Sequence, residues 1–398
     1  MAIRKPKQPD IAEVPAPVTS PDIVEAEAGG LLSIDLAAIV ANWRTLAQMT
    51  MPIDCAAVVK SDAYGCGIEP VASSLMTAGA TTFFVADLSE ARRLRALSHD
   101  ITIYVLNGVL PNTAPAFADA NARPVINSLT ELAEWDAFVT SAEWHGGAAL
   151  HVDTGINRLG VTPEDAVALA PRIKGEHHGG IKLLMSHLAC AETPEHPLND
   201  KQVRLFREVR LHYRGIPSSL ANSSGIFLGP SAHCDLVRPG AALYGINPTP
   251  GKTNPMQPVV GLQGRIVQVR HVDRGDAVGY GAAWTAAGPS RIAVVAIGYG
   301  DGYARAASAG PDKPAAQAIV GGQLCPLVGR VSMDLLAIDV TATPEGVARR
   351  GATATLIGGE IDVDRLAGWT GTIGYEVLTR LGRRYHRVWT SGSEGNQG

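Results

Sequence analysis

Residues 148–187 read A-A-L-H-V-D-T-G-I-N-R-L-G-V-T-P-E-D-A-V-A-L-A-P-R-I-K-G-E-H-H-G-G-I-K-L-L-M-S-H. Two short apolar runs, 148–153 and 181–187, enclose an amphipathic stretch of helical length at 163–173. Continuous apolar runs are typical of strands that are buried on both faces, and two parallel strands need a crossover helix between them. The stretch therefore predicts one strand–helix–strand unit of a parallel α/β fold.

The same alternation continues on both sides of this unit. The predicted strands are 55–60, 83–86, 101–106, 124–127, 148–153, 181–187, 218–222 and 235–238, and the helical patterns between them include 88–97, 129–139, 163–173 and 200–213. Eight strands in this order are the number that closes a (β/α)8 TIM barrel. We therefore predict an N-terminal TIM barrel.

A second, mainly-β domain is predicted to follow the barrel, because strand patterns dominate after about residue 248. Its predicted strands are 259–272, 291–297, 324–340 and 352–357, with one closing helix at 373–381 and a spare strand at 31–34 that is expected to pair with this domain. The predicted division is a disordered, proline-rich extension at 1–28, the barrel at 29–250, the β domain at 251–391 and a flexible tail at 392–398.

Composition and charge exclude several classes of function. The net charge of −4 and the absence of a long apolar run favour neither a nucleic-acid partner nor a membrane partner. The five cysteines are scattered and form no C-x-x-C pair, which favours a reducing compartment and a cytoplasmic location. No metal site is expected, and the His177–His178 doublet is interpreted as a surface loop.

Reactive side chains follow several of the predicted barrel strands. Lys60 ends the first, His187 the sixth and Arg238 the eighth, while Asn222 and Ser223 follow the seventh. Active sites of such barrels lie at the carboxyl ends of the strands, and phosphate often binds after the last ones. A lysine partly removed from water there has a lowered pKa and can hold a carbonyl group as a Schiff base, although this segment alone also fits a surface lysine.

Eight motifs in order resemble those of the alanine racemase family, over about residues 31–389. They are A-V-V-K-S-D-A-Y-G-C-G at 57–67, H-V-D-T-G-I-N-R-L-G at 151–160, A-N-S-S at 221–224, V-R-P-G-A-A-L-Y-G at 237–245, G-Y-G-A-A-W at 279–284, I-G-Y-G-D-G-Y-A-R at 297–305, G-R-V-S-M-D at 329–334 and G-Y-E-V at 374–377. The family fold is a barrel followed by a β domain, in agreement with the pattern above.

The resemblance implies a pyridoxal 5'-phosphate cofactor held covalently by Lys60. It further implies that Lys60 is the base on the D side and Tyr280 the base on the opposite face, since inversion removes a proton on one side and returns one on the other. His187 would contact Tyr280, and Arg238 would face the ring nitrogen of the cofactor. A guanidinium has no acceptor, so that nitrogen should stay unprotonated.

The resemblance also assigns the remaining site residues. The cofactor and its phosphate would be bound by Tyr64, Asn222, Ser223, Gly240, Ala241 and Tyr375. Arg158 would bind the substrate carboxylate. Tyr280, Tyr299, Met333 and Asp334 would reach the barrel of a partner subunit, so a homodimer with two shared sites is implied. Tyr299, with Arg305 and Asp301 nearby, would line the entrance.

One position departs from the family pattern. The residue seven positions before Arg158 is often a carbamylated lysine that fixes this arginine, and here it is His151. A histidine does not carry that carbamate stably, so an anion, a water or a carboxylate has to position Arg158 instead. Ile156 and Ala241, at positions where the family varies, do not rank alanine against serine as substrate.

The expected function is that of an isomerase that interconverts L-alanine and D-alanine and supplies D-alanine for peptidoglycan. Alternatives are a racemase for serine or another small amino acid and a decarboxylase of the same architecture. The decarboxylase would use a cysteine-bearing or acidic group from the β domain, where this chain offers Tyr280. A non-catalytic pyridoxal-phosphate carrier would be a lone barrel without the second domain.

Overall fold

The computed structural model of the protein describes residues 23–175, 180–310 and 314–391. Eight parallel strands form its N-terminal domain. The strands are Asp54–Cys55 continuing as Ala57–Val58, Thr82–Val85, Thr102–Val105, Arg123–Ile126, Ala148–His151, Ile181–Met185, Ser218–Ser219 and Leu236–Val237. Each overlaps a predicted strand. The predicted (β/α)8 barrel is therefore confirmed.

Backbone hydrogen bonds close the barrel at its eighth strand. The first to seventh strands pair in chain order. The Val58 N–H then donates to the Pro239 carbonyl at 3.0 Å, and the Arg238 N–H donates to the Ala221 carbonyl at 2.9 Å. Closure brings the ends of all eight strands to one rim, which is why residues far apart in sequence meet there.

Helices cover the outside of the barrel. They are Leu36–Thr50, Ile68–Ala78, Leu88–Leu97, Ala114–Asp119, Leu129–Ala142, Pro163–Gly175 and Pro197–Arg210, with short turns at Ser223–Ile226 and Pro230–His233. Asp87 and Ser128 start two of them by accepting backbone N–H groups of the first turn. None of the helices within the described residues is long and apolar enough to cross a membrane.

A closed antiparallel sheet forms the C-terminal domain. Its strands are Gly30–Asp35, Val260–Val272, Ser290–Val295, Gln317–Val320, Gln323–Val328, Leu336–Asp339, Thr353–Ile357 and His386–Thr390. The long strand Val260–Val272 pairs first with Thr353–Ile357 and then, beyond a bulge, with Ser290–Val295, and this double pairing closes the sheet. A small hairpin, Ala277–Val278 with Trp284–Thr285, and two helices, Val363–Thr370 and Gly374–Arg380, complete the domain.

The spare strand Gly30–Asp35 lies in this C-terminal sheet, as expected. Leu32 faces Leu262 in an antiparallel pair and Arg387 in a parallel pair. Residues 23–28 belong to the predicted disordered extension, but the Arg265 guanidinium holds them by donating to the carbonyls of Ala28 and Glu25. Residues 1–22, the 392–398 tail and the His177–His178 doublet lie outside the described residues.

One predicted element is wrong. The run 324–340 is not a single strand but two, Gln323–Val328 and Leu336–Asp339. Gly329 separates them with φ of +66°, and a Cβ there would lie 2.6 Å from the Val278 carbonyl oxygen. Gly329, Ser332 and Asp334 are typical of a turn, but the apolar residues between and around them made the run look like one continuous strand.

Candidate active site

A cavity of about 690 Å³ opens at the carboxyl ends of the barrel strands. The predicted site residues that line it are Lys60, Tyr64, Arg158, His187, Asn222, Ser223, Arg238, Gly240, Ala241 and Tyr375. His151 also lines it. The barrel contributes five separate segments to this set, and the C-terminal domain contributes the sixth, which carries Tyr375.

Lys60 stands at the start of a left-handed turn. Ser61, Asp62, Ala63 and Tyr64 all have φ between 54° and 55°, and Gly65 follows at 81°. Each non-glycine residue in this conformation costs about 1–2 kcal/mol. Sequence patterns did not indicate the turn, because only Gly65 favours positive φ by its residue type.

Hydrogen bonds from the second strand and its helix compensate for this strain. The buried Glu90 carboxylate accepts the Asp62 N–H at 2.9 Å and the Ala86 N–H at 2.8 Å. The Asp62 carboxylate in turn accepts the Ile68 N–H at 3.0 Å and pairs with Arg93 at 2.7 Å. Glu90 therefore connects the turn after Lys60 to the neighbouring strand.

We expect Glu90→Gln to loosen this turn, because the amide nitrogen of glutamine cannot accept one of the two N–H groups. A lost hydrogen bond to a charged group is worth about 1.5–3 kcal/mol, which corresponds to roughly tenfold or more faster opening. Hydrogen–deuterium exchange of the peptide that contains Asp62 measures how fast the turn opens. The exposed Glu134→Gln is the matched control, and equal exchange in both variants would contradict the role of Glu90.

The Lys60 amine is held where its charge is disfavoured. Burial, and then the charge of Arg158, lower the pKa of Lys60, while the Glu90 carboxylate acts in the opposite direction. A lowered pKa leaves a larger fraction of the amine neutral near pH 7, and only the neutral amine is a nucleophile or a base. The chemistry expected from the sequence therefore has its electrostatic basis in the cavity.

A second group of residues faces Lys60 from the seventh and eighth strands. The Gly240 N–H and the Ala242 N–H donate to Ser223 Oγ at 2.9 and 3.2 Å. A Cβ at Gly240 would collide with the hydroxyl of Tyr64, so only glycine lets this ring reach the cavity. Tyr64 stacks on Tyr244 with ring centroids 4.6 Å apart.

Arg238 is buried and rigidly held. Its guanidinium donates to Ser219 Oγ and, at 2.6 Å, to the Ser186 carbonyl. It also lies over the Phe84 ring, 5.7 Å from the centroid. Burial lowers the pKa of Arg238 to about 10, so the group stays charged at neutral pH.

His187 and Arg158 also line the cavity. Burial, and then the charges of Arg238 and Arg158, lower the pKa of His187 well below its usual value, so the imidazole is neutral at pH 7. The loop that carries Arg158 is shaped by Asp153, whose Oδ1 accepts the N–H groups of Gly155 and Ile156 at 2.9 and 3.0 Å.

Four predicted site residues lie elsewhere, on the surface of the C-terminal domain. Tyr280 is 73% exposed and lines a separate cavity of about 730 Å³ together with Arg330. Tyr299 and Met333 are exposed, and their segments are joined by a 2.8 Å hydrogen bond from the Gly300 N–H to the Met333 carbonyl. Asp334 pairs with Arg384 at 2.8 Å.

Asp301, which was expected near Tyr299, is buried. It is 5% exposed, accepts the Gly298 N–H at 2.8 Å and pairs with Arg384 at 2.6 Å. Its role is to hold the turn that presents Tyr299. Spacing alone did not distinguish a surface carboxylate from one that caps its own turn.

Sequence reasoning missed Glu90, Asn127 and Ser219, which hold the predicted site residues in place. Glu90 had a readable signal, since D-L-S-E at 87–90 is the spacing at which a glutamate reaches back to backbone N–H groups at a helix start. Asn127 and Ser219 carry no such signal, because their partners His151 and Arg238 are distant in sequence.

Comparison with known proteins identifies the family. Residues 34–248 match the family described as alanine racemase, N-terminal domain, and residues 259–389 match alanine racemase, C-terminal domain. The chain is 51% identical over 366 residues to the alanine racemase of Methylobacterium nodulans, covering 92% of this chain and 97% of the relative. It is 46% identical to the catabolic alanine racemase of Mesorhizobium japonicum, covering 94% and 97%.

A solved structure gives the same result. The crystal structure of alanine racemase from Bartonella henselae with covalently bound pyridoxal phosphate superimposes with a TM-score of 0.86 and 36% sequence identity, covering 91% of this chain and all of that chain. Two family domains in order, relatives matched over nearly their whole length and a shared fold lead to one conclusion: this chain belongs to the alanine racemase family.

Proposed function

We propose that this protein interconverts L-alanine and D-alanine, with pyridoxal phosphate held covalently by Lys60. The observation that carries the proposal is a single cavity that combines a lysine amine of lowered pKa with the guanidinium groups of Arg158 and Arg238. An amine of this kind suits a carbonyl cofactor, and the two cations suit a phosphate-bearing cofactor and a carboxylate substrate.

The residues of the cavity fit this cofactor. Its volume of about 690 Å³ lies in the range of cofactor sites. Glu376 is the one carboxylate among the described lining residues, and Arg380 pairs with it at 3.1 Å, so the cationic character of the cavity remains. Tyr64, Ser223 and the amides near Gly240 would hold the phosphate. The glycine there leaves room for the hydroxyl of Tyr64.

When bound, pyridoxal phosphate withdraws electrons from the α-carbon of an amino acid and so makes its α-proton removable. Arg158 orients the substrate by its carboxylate. Lys60 removes or returns the α-proton on one face. The charged guanidinium of Arg238, which has no acceptor atom, would face the cofactor ring. It stays in place because Ser219 and Ser186 accept hydrogen bonds from it.

The second proton-transfer group in this proposal is Tyr280 of the partner subunit in a homodimer. Support comes from the exposure of Tyr280, Tyr299 and Met333, at 73%, 39% and 55%, and from the fact that none of the three is among the described residues that line the Lys60 cavity of the same chain. Exposed aromatic and methionine side chains are typical of an interface core. A tyrosine of the partner would supply the second base opposite Lys60.

We further propose that the enzyme works in the cytoplasm and supplies D-alanine for peptidoglycan. The five cysteines are free, which suits a reducing compartment. A strain with this gene deleted should then need added D-alanine for growth. Growth without D-alanine, but with loss of growth on alanine as carbon source, would instead assign a catabolic role like that named for the Mesorhizobium relative.

Chiral chromatography tests the reaction itself. Purified protein incubated with L-alanine should yield D-alanine until the two enantiomers are nearly equal, whereas L-serine and larger amino acids should react more slowly. Measurement of carbon dioxide in the same samples distinguishes a decarboxylase. Carbon dioxide release without D-alanine, or faster conversion of serine than of alanine, would contradict the proposal.

A further inference from the structure

His151 ends the fifth barrel strand and has a buried, unpaired ring nitrogen. The residue is 5% exposed and lines the Lys60 cavity. Its Nδ1 lies 2.8 Å from Oδ1 of Asn127, while its Nε2 is buried without a hydrogen-bond partner among the described residues. A buried polar atom without a hydrogen-bond partner destabilises the protein. Whether Nε2 carries a proton therefore indicates whether a group in the cavity must accept a hydrogen bond from it or donate one to it.

The side-chain amide of Asn127 determines which ring nitrogen of His151 carries the proton. Its Nδ2 donates to the carbonyl oxygens of Val125 and Leu106 at 2.9 and 3.2 Å. Two carbonyl oxygens require a donor, so the amide group cannot be reversed, and Oδ1 has to face His151. Because Oδ1 only accepts, the proton lies on Nδ1 of the histidine.

The charges around the ring keep it neutral. Burial and then Arg238 lower the pKa of His151 to about 4; Arg158 adds to this and Asp153 acts in the opposite direction. His187, which also lines the cavity, is itself neutral. A neutral imidazole protonated at Nδ1 has a lone pair at Nε2. The unpaired nitrogen is therefore an acceptor, and a bound anion cannot satisfy it.

A suitable donor lines the same cavity. Arg158 follows seven residues later on the loop held by Asp153, and its charge is near enough to affect the pKa of His151. Within the described residues, its guanidinium has no hydrogen bond or ion pair. Arg238, the other guanidinium in the cavity, already donates to Ser219 and Ser186.

We propose that His151 is a positioning residue: it stays in the neutral Nδ1–H form, and its Nε2 accepts a hydrogen bond from Arg158 while that guanidinium binds the substrate carboxylate. Its catalytic consequence rests on the proposed function. A neutral acceptor orients Arg158 without cancelling its charge, so no anion is needed between the two side chains.

The tautomer can be measured without catalysis. Full-length holoprotein labelled with 15N-histidine is studied by long-range 1H–15N correlation, and the signals missing in His151→Gln are assigned to His151. We expect a protonated Nδ1 and an unprotonated Nε2 across neutral pH. A proton on Nε2, in either the other tautomer or the imidazolium, would make this nitrogen a donor and overturn the proposal.

The link to Arg158 is tested by two variants. His151→Leu removes the acceptor and should raise KM for alanine by roughly tenfold with a smaller change in kcat, whereas His151→Gln keeps an acceptor oxygen and should lose less. Both variants should keep the absorbance of bound cofactor. Equal KM in the two variants would overturn the proposal.

Replacing chloride in the assay by a large sulfonate, which has no carboxylate to compete for Arg158, tests the anion alternative. KM for alanine should not change, and a KM that depends on chloride would indicate a bridging anion and contradict our assignment. If the wild-type protein racemises no amino acid, the proposed function fails, and the NMR measurement still decides the state of His151.

Discussion

Lys60→Ala should abolish the near-visible absorbance of bound cofactor and lower the racemisation rate on the order of 10⁴-fold or more. Lys60 is the one lysine among the described residues that line the cavity, so no other amine there can hold the cofactor or replace the base. The absorbance spectrum of the purified variant and chiral chromatography of its reaction with L-alanine measure the two effects.

Lys201→Ala, which removes an exposed lysine from the helix Pro197–Arg210, is the control and should keep both properties. Circular dichroism should show that Lys60→Ala is folded. Cofactor that remains covalently attached in this variant, seen as a mass increase after borohydride reduction, would assign the attachment to another lysine and contradict the proposed site.

Tyr280→Phe should keep the cofactor and lose racemisation by about a hundredfold or more. Only the hydroxyl is removed, and the ring is 73% exposed in the single chain, so we expect little change in the stability of the subunit. The rate of α-proton exchange should fall strongly for only one of the two enantiomers. Lys60 should still exchange the α-proton of D-alanine with D₂O, whereas exchange from L-alanine should be slow, and mass spectrometry of both reactions measures the difference.

Near wild-type racemisation by Tyr280→Phe would remove this tyrosine as a base. Equal loss of exchange from both enantiomers would also contradict the two-base proposal, because it would mean that the hydroxyl acts on cofactor binding or on the substrate as a whole.

Mixing the two inactive variants tests whether the site is shared. In a heterodimer of Lys60→Ala and Tyr280→Phe subunits, one site receives both intact groups and the other receives neither. After free subunit exchange, about a quarter of the wild-type activity should return. No recovery, despite exchange shown by native mass spectrometry, would indicate that both bases come from one chain.

Much of the fold could be predicted because it depends on local patterns. The eight apolar runs, the helices between them and the change to strand patterns near residue 248 each reflect which faces of an element are buried. The pattern failed at 324–340, where Gly329 turns the chain. It failed there because the apolar residues around the turn outweighed the turn-forming residues Gly329, Ser332 and Asp334.

The sequence by itself determined the two-domain architecture, the family and the identity of most cavity residues, since strand order and motif order are properties of the chain. Only the tertiary structure decided how those residues are held. The left-handed turn after Lys60 depends on Glu90, and the proton position on His151 depends on the amide orientation of Asn127. Both depend on contacts between separate strands, and such contacts exist only once the barrel has closed.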